Sequence, residues 1–126
     1  MDKQITPTDA APAPIGPYSQ AVMVNGVLYL SGQIAIDPAT SLVIKGDIAS
    51  ETHQVMHNIA AILRSYDMDF SHIAKTTIFL RRMDDFSEVN EVYGSFFEKD
   101  YPARETVAVA GLPKDVQVEI SCIAVK

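Results

Sequence analysis

The chain has 126 residues, 48% hydrophobic and 21% charged, which suffices for one domain (1–126) with a core that needs no staples. A net charge of −6 repels a polyanion overall and argues against a nucleic-acid partner. The single cysteine, Cys122, excludes an internal disulfide, and neither an apolar signal core nor a membrane-spanning stretch is visible, so a cytoplasmic location is expected.

Residues 1–17 are expected to form an extended arm, because Pro7, Pro12, Pro14 and Pro17 bar a helix. Tyr18–Val24 then suits a strand. Asn25-Gly26 is the signal of a two-residue type I′ hairpin, with Val27–Ser31 returning as its partner. Gly32 breaks the pattern, and Gln33–Ile36 is expected as a third short strand. Asp37-Pro38-Ala39-Thr40 carries turn chemistry. Asp47 or Ser50 can cap a helix whose apolar stripe is Val55, Ile59, Ile62, Leu63 and Tyr66. His53 and His57 lie off that stripe and are expected on its solvated face.

Ile73–Arg82 is rich in β-branched residues and reads as a strand. Asp84 and Asp85 suit the start of a second helix, with Phe86, Val89, Tyr93, Phe96 and Phe97 as its buried stripe. Glu105–Ala110 and Val116–Val125 are the last strands. The order βββαβαββ predicts an α/β (α+β) fold, a mixed sheet with two helices on one face. In Val116–Val125, Val116, Val118, Ile120, Cys122 and Ala124 share one face, and Gln117, Glu119, Ser121 and Ile123 the other. Two helices cover only one face, so an oligomer is expected to cover the second.

Several strings, in order and spacing over almost the whole chain, resemble the RidA (YjgF-like) family of reactive intermediate deaminases. They are Ala13-Pro14-Ile15-Gly16-Pro17-Tyr18-Ser19-Gln20-Ala21, Ser31-Gly32-Gln33-Ile34, Lys75-Thr76-Thr77-Ile78-Phe79-Leu80, Asp84-Asp85-Phe86 with Val89-Asn90, Pro102-Ala103-Arg104, and Leu112-Pro113-Lys114 with Val118-Glu119-Ile120. One small departure is Ser41, where the family often has glycine. The resemblance implies a chorismate-mutase-like fold assembled as a homotrimer, with a central barrel of sheets and active sites between subunits. It also implies hydrolysis of 2-imino acids, and of their 2-aminoacrylate tautomers released by pyridoxal-phosphate dehydratases, to 2-oxo acids and ammonia. No cofactor or metal is implied.

On that resemblance, Arg104 binds the substrate carboxylate, for which its planar fork is chemically suited. Glu119 matches the family's acidic residue and is expected to aim a water and accept its proton. Backbone groups at the position of Thr106 face the imine nitrogen; many relatives carry cysteine there, so a thiol nucleophile is not expected. Tyr18 and Ser31 match cleft positions that close the pocket and hold carboxylate or water. Asn90 interrupts the apolar stripe of the second helix and is expected as a buried amide that either orients the cleft or ties down backbone. Two other functions compete. One is the endoribonuclease or translation inhibitor named among family relatives, and the other a non-catalytic binder of small 2-oxo acids.

Overall fold

A computed structural model describes residues 1–126. The first strand, β1 (Ala21–Val24), turns through Asn25 and Gly26 into β2 (Val27–Gln33). Both turn residues have positive φ, 50 and 78, the type I′ geometry that an Asn-Gly pair favours. Gln33 closes β2 after a bulge that begins at Leu30. The third strand expected at Gln33–Ile36 is displaced: β3 (Ile36–Asp37) pairs only with β4 (Leu42–Val43), in a separate two-stranded ribbon. Bulging turns the chain out of the main sheet there. Ser41, in the ribbon turn, has φ 61. A side chain costs about 1 kcal/mol in that region, a cost that glycine would avoid.

Helix α1 (Ile48–Ser65) starts where Asp47 Oδ1 accepts the Ser50 N–H at 2.8 Å, a bond that lowers the Asp47 pKa. The expected stripe Val55, Ile59, Ile62, Leu63 and Tyr66 is buried. Burial of each aliphatic member contributes about 1.5–3 kcal/mol. His53 and His57 lie around Phe96, their ring centroids 5.6 and 5.7 Å from its own, and both are exposed, off the buried stripe.

Strand β5 (Ile73–Leu80) is followed by α2 (Phe86–Gly94), β6 (Ala103–Ala108) and β7 (Val118–Val125). The sheet order is β1-β2-β7-β5-β6. Only β5 and β6 are parallel, and α2 supplies the crossover that a parallel pair requires. The second helix is shorter than its apolar pattern suggested. It stops at Gly94, and Phe96 and Phe97 follow it, packed with Phe70, Tyr93 and Tyr101 in an aromatic cluster. Phe86, expected in the core, is exposed.

Both helices lie on one face. Leu28, Leu30, Ile78, Leu80, Val118, Ile120, Cys122 and Ala124 point into the core beneath them. Burial pushes the Cys122 thiol up to about 12, so it packs as an apolar residue and is no nucleophile. The opposite face exposes Tyr29, Val107 and Val125, with Phe79 and Ile123 half-buried between them. The chain leaves that apolar surface uncovered.

Candidate active site

Glu119 leaves β7 on the face away from the helices, because it alternates with core-facing Val118 and Ile120. Its carboxylate lies over Gly32 of β2. A Cβ built on Gly32 would stand 2.5 Å from Glu119 Oε2, so only glycine leaves that space. Half-burial without a cation partner raises the Glu119 pKa. The carboxylate opens into a cavity of about 370 Å³ lined by Tyr18, Ser31, Ile34, Ile36 and Pro113 and by the arm residues Pro12, Ala13 and Ile15. Ser31 Oγ donates to Ser19 O at 2.6 Å, which leaves the hydroxyl oxygen as an acceptor toward the cavity. The Tyr18 hydroxyl accepts the Ile15 N–H at 3.4 Å, and its ring is exposed.

The arm forms this wall because Gln20, buried behind it, holds it at several points. Gln20 Oε1 accepts the Thr8 N–H at 3.0 Å, while Nε2 donates to Thr8 O and Pro12 O at 3.0 and 2.9 Å. Behind the opposite wall, Asn58 Nδ2 donates to Ile34 O and Ile36 O at 3.1 and 3.0 Å.

Arg104 builds a second, separate surface. It pairs with Thr76 in the β5–β6 ladder and projects to the helix side. There its guanidinium lies 5.1 Å from the Tyr93 ring centroid and 5.7 Å from that of Phe86. Its Nη1 donates to Asn90 Oδ1 at 2.7 Å. Tyr93 is fixed in turn by a 2.7 Å bond between its hydroxyl and Thr76 Oγ1. Glu105, the neighbouring acid in sequence, faces the other way and pairs with Lys75 at 3.2 Å. No carboxylate of the chain stands within ion-pair distance of Arg104. A cation held by two rings and an amide, with the rest of its fork free, has the geometry to receive an anion. Asn90 is exposed, not buried as expected, since it sits on the rim of α2 where only Arg104 reaches it. Thr106, two residues along the same face, has a hydroxyl that is inaccessible and unpartnered within the chain.

Sequence reasoning thus named residues that fall into two groups. Tyr18, Ser31 and Glu119 share the first cavity, and Arg104 and Asn90 share the second surface. One chain does not bring the groups together. Glu119 is opposite Phe79, which is opposite Val107, three residues beyond Arg104 on β6. The two Cα atoms are therefore roughly 10 Å apart across the strands and 10 Å along them, with side chains on opposite faces. Missed were Tyr93 and Phe86 as the platform of Arg104, and Gln20 and Asn58 as braces of the cavity. Periodicity marked Tyr93 and Phe86 as core and gave Gln20 and Asn58 no part, and only contact across the fold shows theirs.

The fold defines a class, an α+β protein with two helices on one face of a mixed sheet whose other face is open. The model of the family described as Endoribonuclease L-PSP matches residues 8–126. A 2-iminobutanoate/2-iminopropanoate deaminase of Bos taurus is 45% identical over 124 residues, 98% of this chain and 90% of that protein. A RutC family protein of Pyrococcus horikoshii is 47% identical over 124 residues, 98% of each chain. The crystal structure of YyfA from Yersinia pestis, described as a Rid family protein of unknown function, superposes with a TM-score of 0.97 at 44% identity, covering 99% of this chain and all of that one. The chain belongs to this YjgF/RidA family.

Proposed function

We propose that the protein is a cytoplasmic deaminase that hydrolyses small 2-imino acids and their enamine tautomers to 2-oxo acids and ammonia, without metal or cofactor. The observation that carries this reading is Arg104, oriented by Asn90 and two rings and free of any acid of its own chain. Its fork suits the carboxylate that every 2-imino acid carries. The name of the bovine relative supports the same reading.

A substrate of so few atoms needs Arg104 and Glu119 together, and one copy holds them apart. The uncovered face with Tyr29, Phe79 and Ile123 is where further copies would seat. The proposed assembly is a homotrimer with sites between subunits, as the family resemblance implies. Arg104, Asn90 and Thr106 would come from one copy, and Tyr18, Ser31 and Glu119 from the next. The strand β6 is an edge of the sheet, so peptide groups around Thr106 are available to the imine nitrogen.

In this site Glu119 takes a proton from a water as the water oxygen bonds to the imine carbon. The C=N bond becomes C–N and Glu119 passes that proton to the nitrogen, giving a neutral carbinolamine. Glu119 then takes the hydroxyl proton and delivers it to the amine nitrogen; as the C=O bond forms, ammonia leaves with the C–N pair and Glu119 is again ionised. Imines already hydrolyse in water, so positioning supplies most of what is needed. The elevated pKa of Glu119 brings its carboxylate closer to the strength of a base useful at neutral pH.

A coupled assay tests the reading. A serine or threonine dehydratase generates the imine, semicarbazide traps it, and the protein competes with the trap. Diversion to 2-oxo acid is expected. An unchanged semicarbazone yield over several amino acids would sink the deaminase reading and make RNA cleavage and 2-oxo acid binding the next assays.

Gly32→Ala gives a local check. The new methyl meets only the movable end of Glu119, so the fold adapts while the carboxylate leaves its place. The rate is expected to fall about tenfold or more, with the melting temperature close to wild type. A variant with full activity would mean that Glu119 does not act from its position over Gly32.

A further inference from the structure

We infer that Glu51, on α1, is a positioning residue for Glu119 and acts through Gln117. The inference rests on the reading of Glu119 as the base of imine hydrolysis. Glu51 is only 4% exposed, and no cation of the chain pairs with it. Its two oxygens are instead spent on one residue. Oε1 accepts the Gln117 backbone N–H at 2.7 Å, and Oε2 accepts the Gln117 side-chain Nε2 at 2.9 Å.

A buried carboxylate is costly, so its retention calls for a reason. Gln117 presents two donors to the same spot, and only a carboxylate offers two acceptors at that spacing. An amide offers one, and would keep both bonds only with the Gln117 side chain turned over, whereas an apolar side chain leaves the Gln117 backbone N–H without its acceptor. The place in the helix helps, since Glu51 lies in the first turn of α1, where the dipole favours negative charge.

The position of the clamp links it to the site. Gln117 stands two residues before Glu119, immediately ahead of β7. Its own carbonyl accepts the Arg81 N–H at 3.0 Å, so the end of β5 holds it from the other side. Before it comes a loop with two successive left-handed residues, Lys114 and Asp115, each at φ 55. Such backbone persists only where its surroundings fix it. Pro113 of that loop lines the cavity into which Glu119 opens. Releasing Gln117 therefore frees both the cavity wall and the start of the strand that aims the carboxylate.

The test compares wild type, Glu51→Leu and the exchanged pair Glu51→Gln/Gln117→Glu in the trapping assay. It also follows amide hydrogen exchange across Val118–Ile120. In Glu51→Leu both acceptors are gone, and kcat is expected to fall about tenfold with KM within about twofold, because Arg104 is untouched. Exchange should quicken over the same residues. In the exchanged pair, the amide introduced on α1 accepts the backbone N–H at position 117 and donates to the carboxylate introduced there. Both bonds return, so kcat and exchange recover. A wild-type kcat in the single variant, or an exchanged pair as slow as the single, overturns the inference. Should Glu51→Leu not fold, the exchanged pair decides alone. Should wild type hydrolyse no imine, the functional reading fails by itself, and unaltered exchange in Glu51→Leu would separately remove the clamp.

Discussion

Arg104→Ala is expected to lower kcat/KM for a 2-imino acid about 100-fold or more, roughly 3 kcal/mol of a charged hydrogen-bonded contact, with most of the change in KM. The magnitude follows from how the guanidinium is held. Tyr93 and Phe86 fix its plane, Asn90 occupies one donor, and no acid competes for the rest. Little freedom is lost when a carboxylate docks. Arg104→Lys keeps the charge but not the fork or the stacking, and should recover only part of the loss. Two variants of Asn90 separate orientation from charge. Asn90→Ala releases the guanidinium and should raise KM about tenfold. Asn90→Asp gives Arg104 an acid of its own, which competes with the substrate, so it is expected to be worse than Asn90→Ala. Steady-state kinetics and calorimetry with a 2-oxo acid measure both. An Asn90→Asp enzyme that binds 2-oxo acid as wild type does would contradict the role given to Arg104.

Glu119→Gln is expected to cut kcat by about 10²–10⁴ while leaving KM nearly unchanged, since the amide keeps the shape and cannot take a proton. The same residue predicts two pH effects. Half-burial raises its pKa, so kcat/KM of wild type should rise with pH through a midpoint above the ordinary glutamate range. The stability effect has the opposite sense. A carboxyl whose folded pKa is raised favours the fold while protonated, at pH below its unfolded pKa. That contribution is lost as pH climbs through the folded pKa. Glu119→Gln should therefore melt slightly higher than wild type near neutral pH and equally in acid. The gain is small because solvent still screens the group. Thermal melts at the two pH values read this directly. A variant that melts lower near neutral pH would show that Glu119 has a stabilising partner.

The elements that local chemistry dictates were legible in the sequence. Asn25-Gly26 demanded positive φ at both positions and obtained it. Asp47 capped α1, and the stripe from Val55 to Tyr66 is buried as its period required. Alternation along β7 placed Glu119 opposite the core, because side chains in a strand have period two. The local motif also picked out Arg104, Asn90, Tyr18 and Ser31. Apolar character alone misjudged Phe86, Phe96 and Phe97, since it does not say where a helix stops or which ring carries a cation.

What only the tertiary structure decided is how those residues are distributed. Arg104 and Glu119 are separated by β5, on opposite faces of one sheet, so the two chemistries the sequence names stand apart within a chain. The rings beneath Arg104, the Gln20 and Asn58 braces, and the Glu51–Gln117 clamp join separate elements, the clamp across 66 positions of chain. Periodicity is a property of one element and reports which face is buried. Contacts between elements depend on strand order and register, which hydrogen bonding between distant segments sets only once the chain has folded.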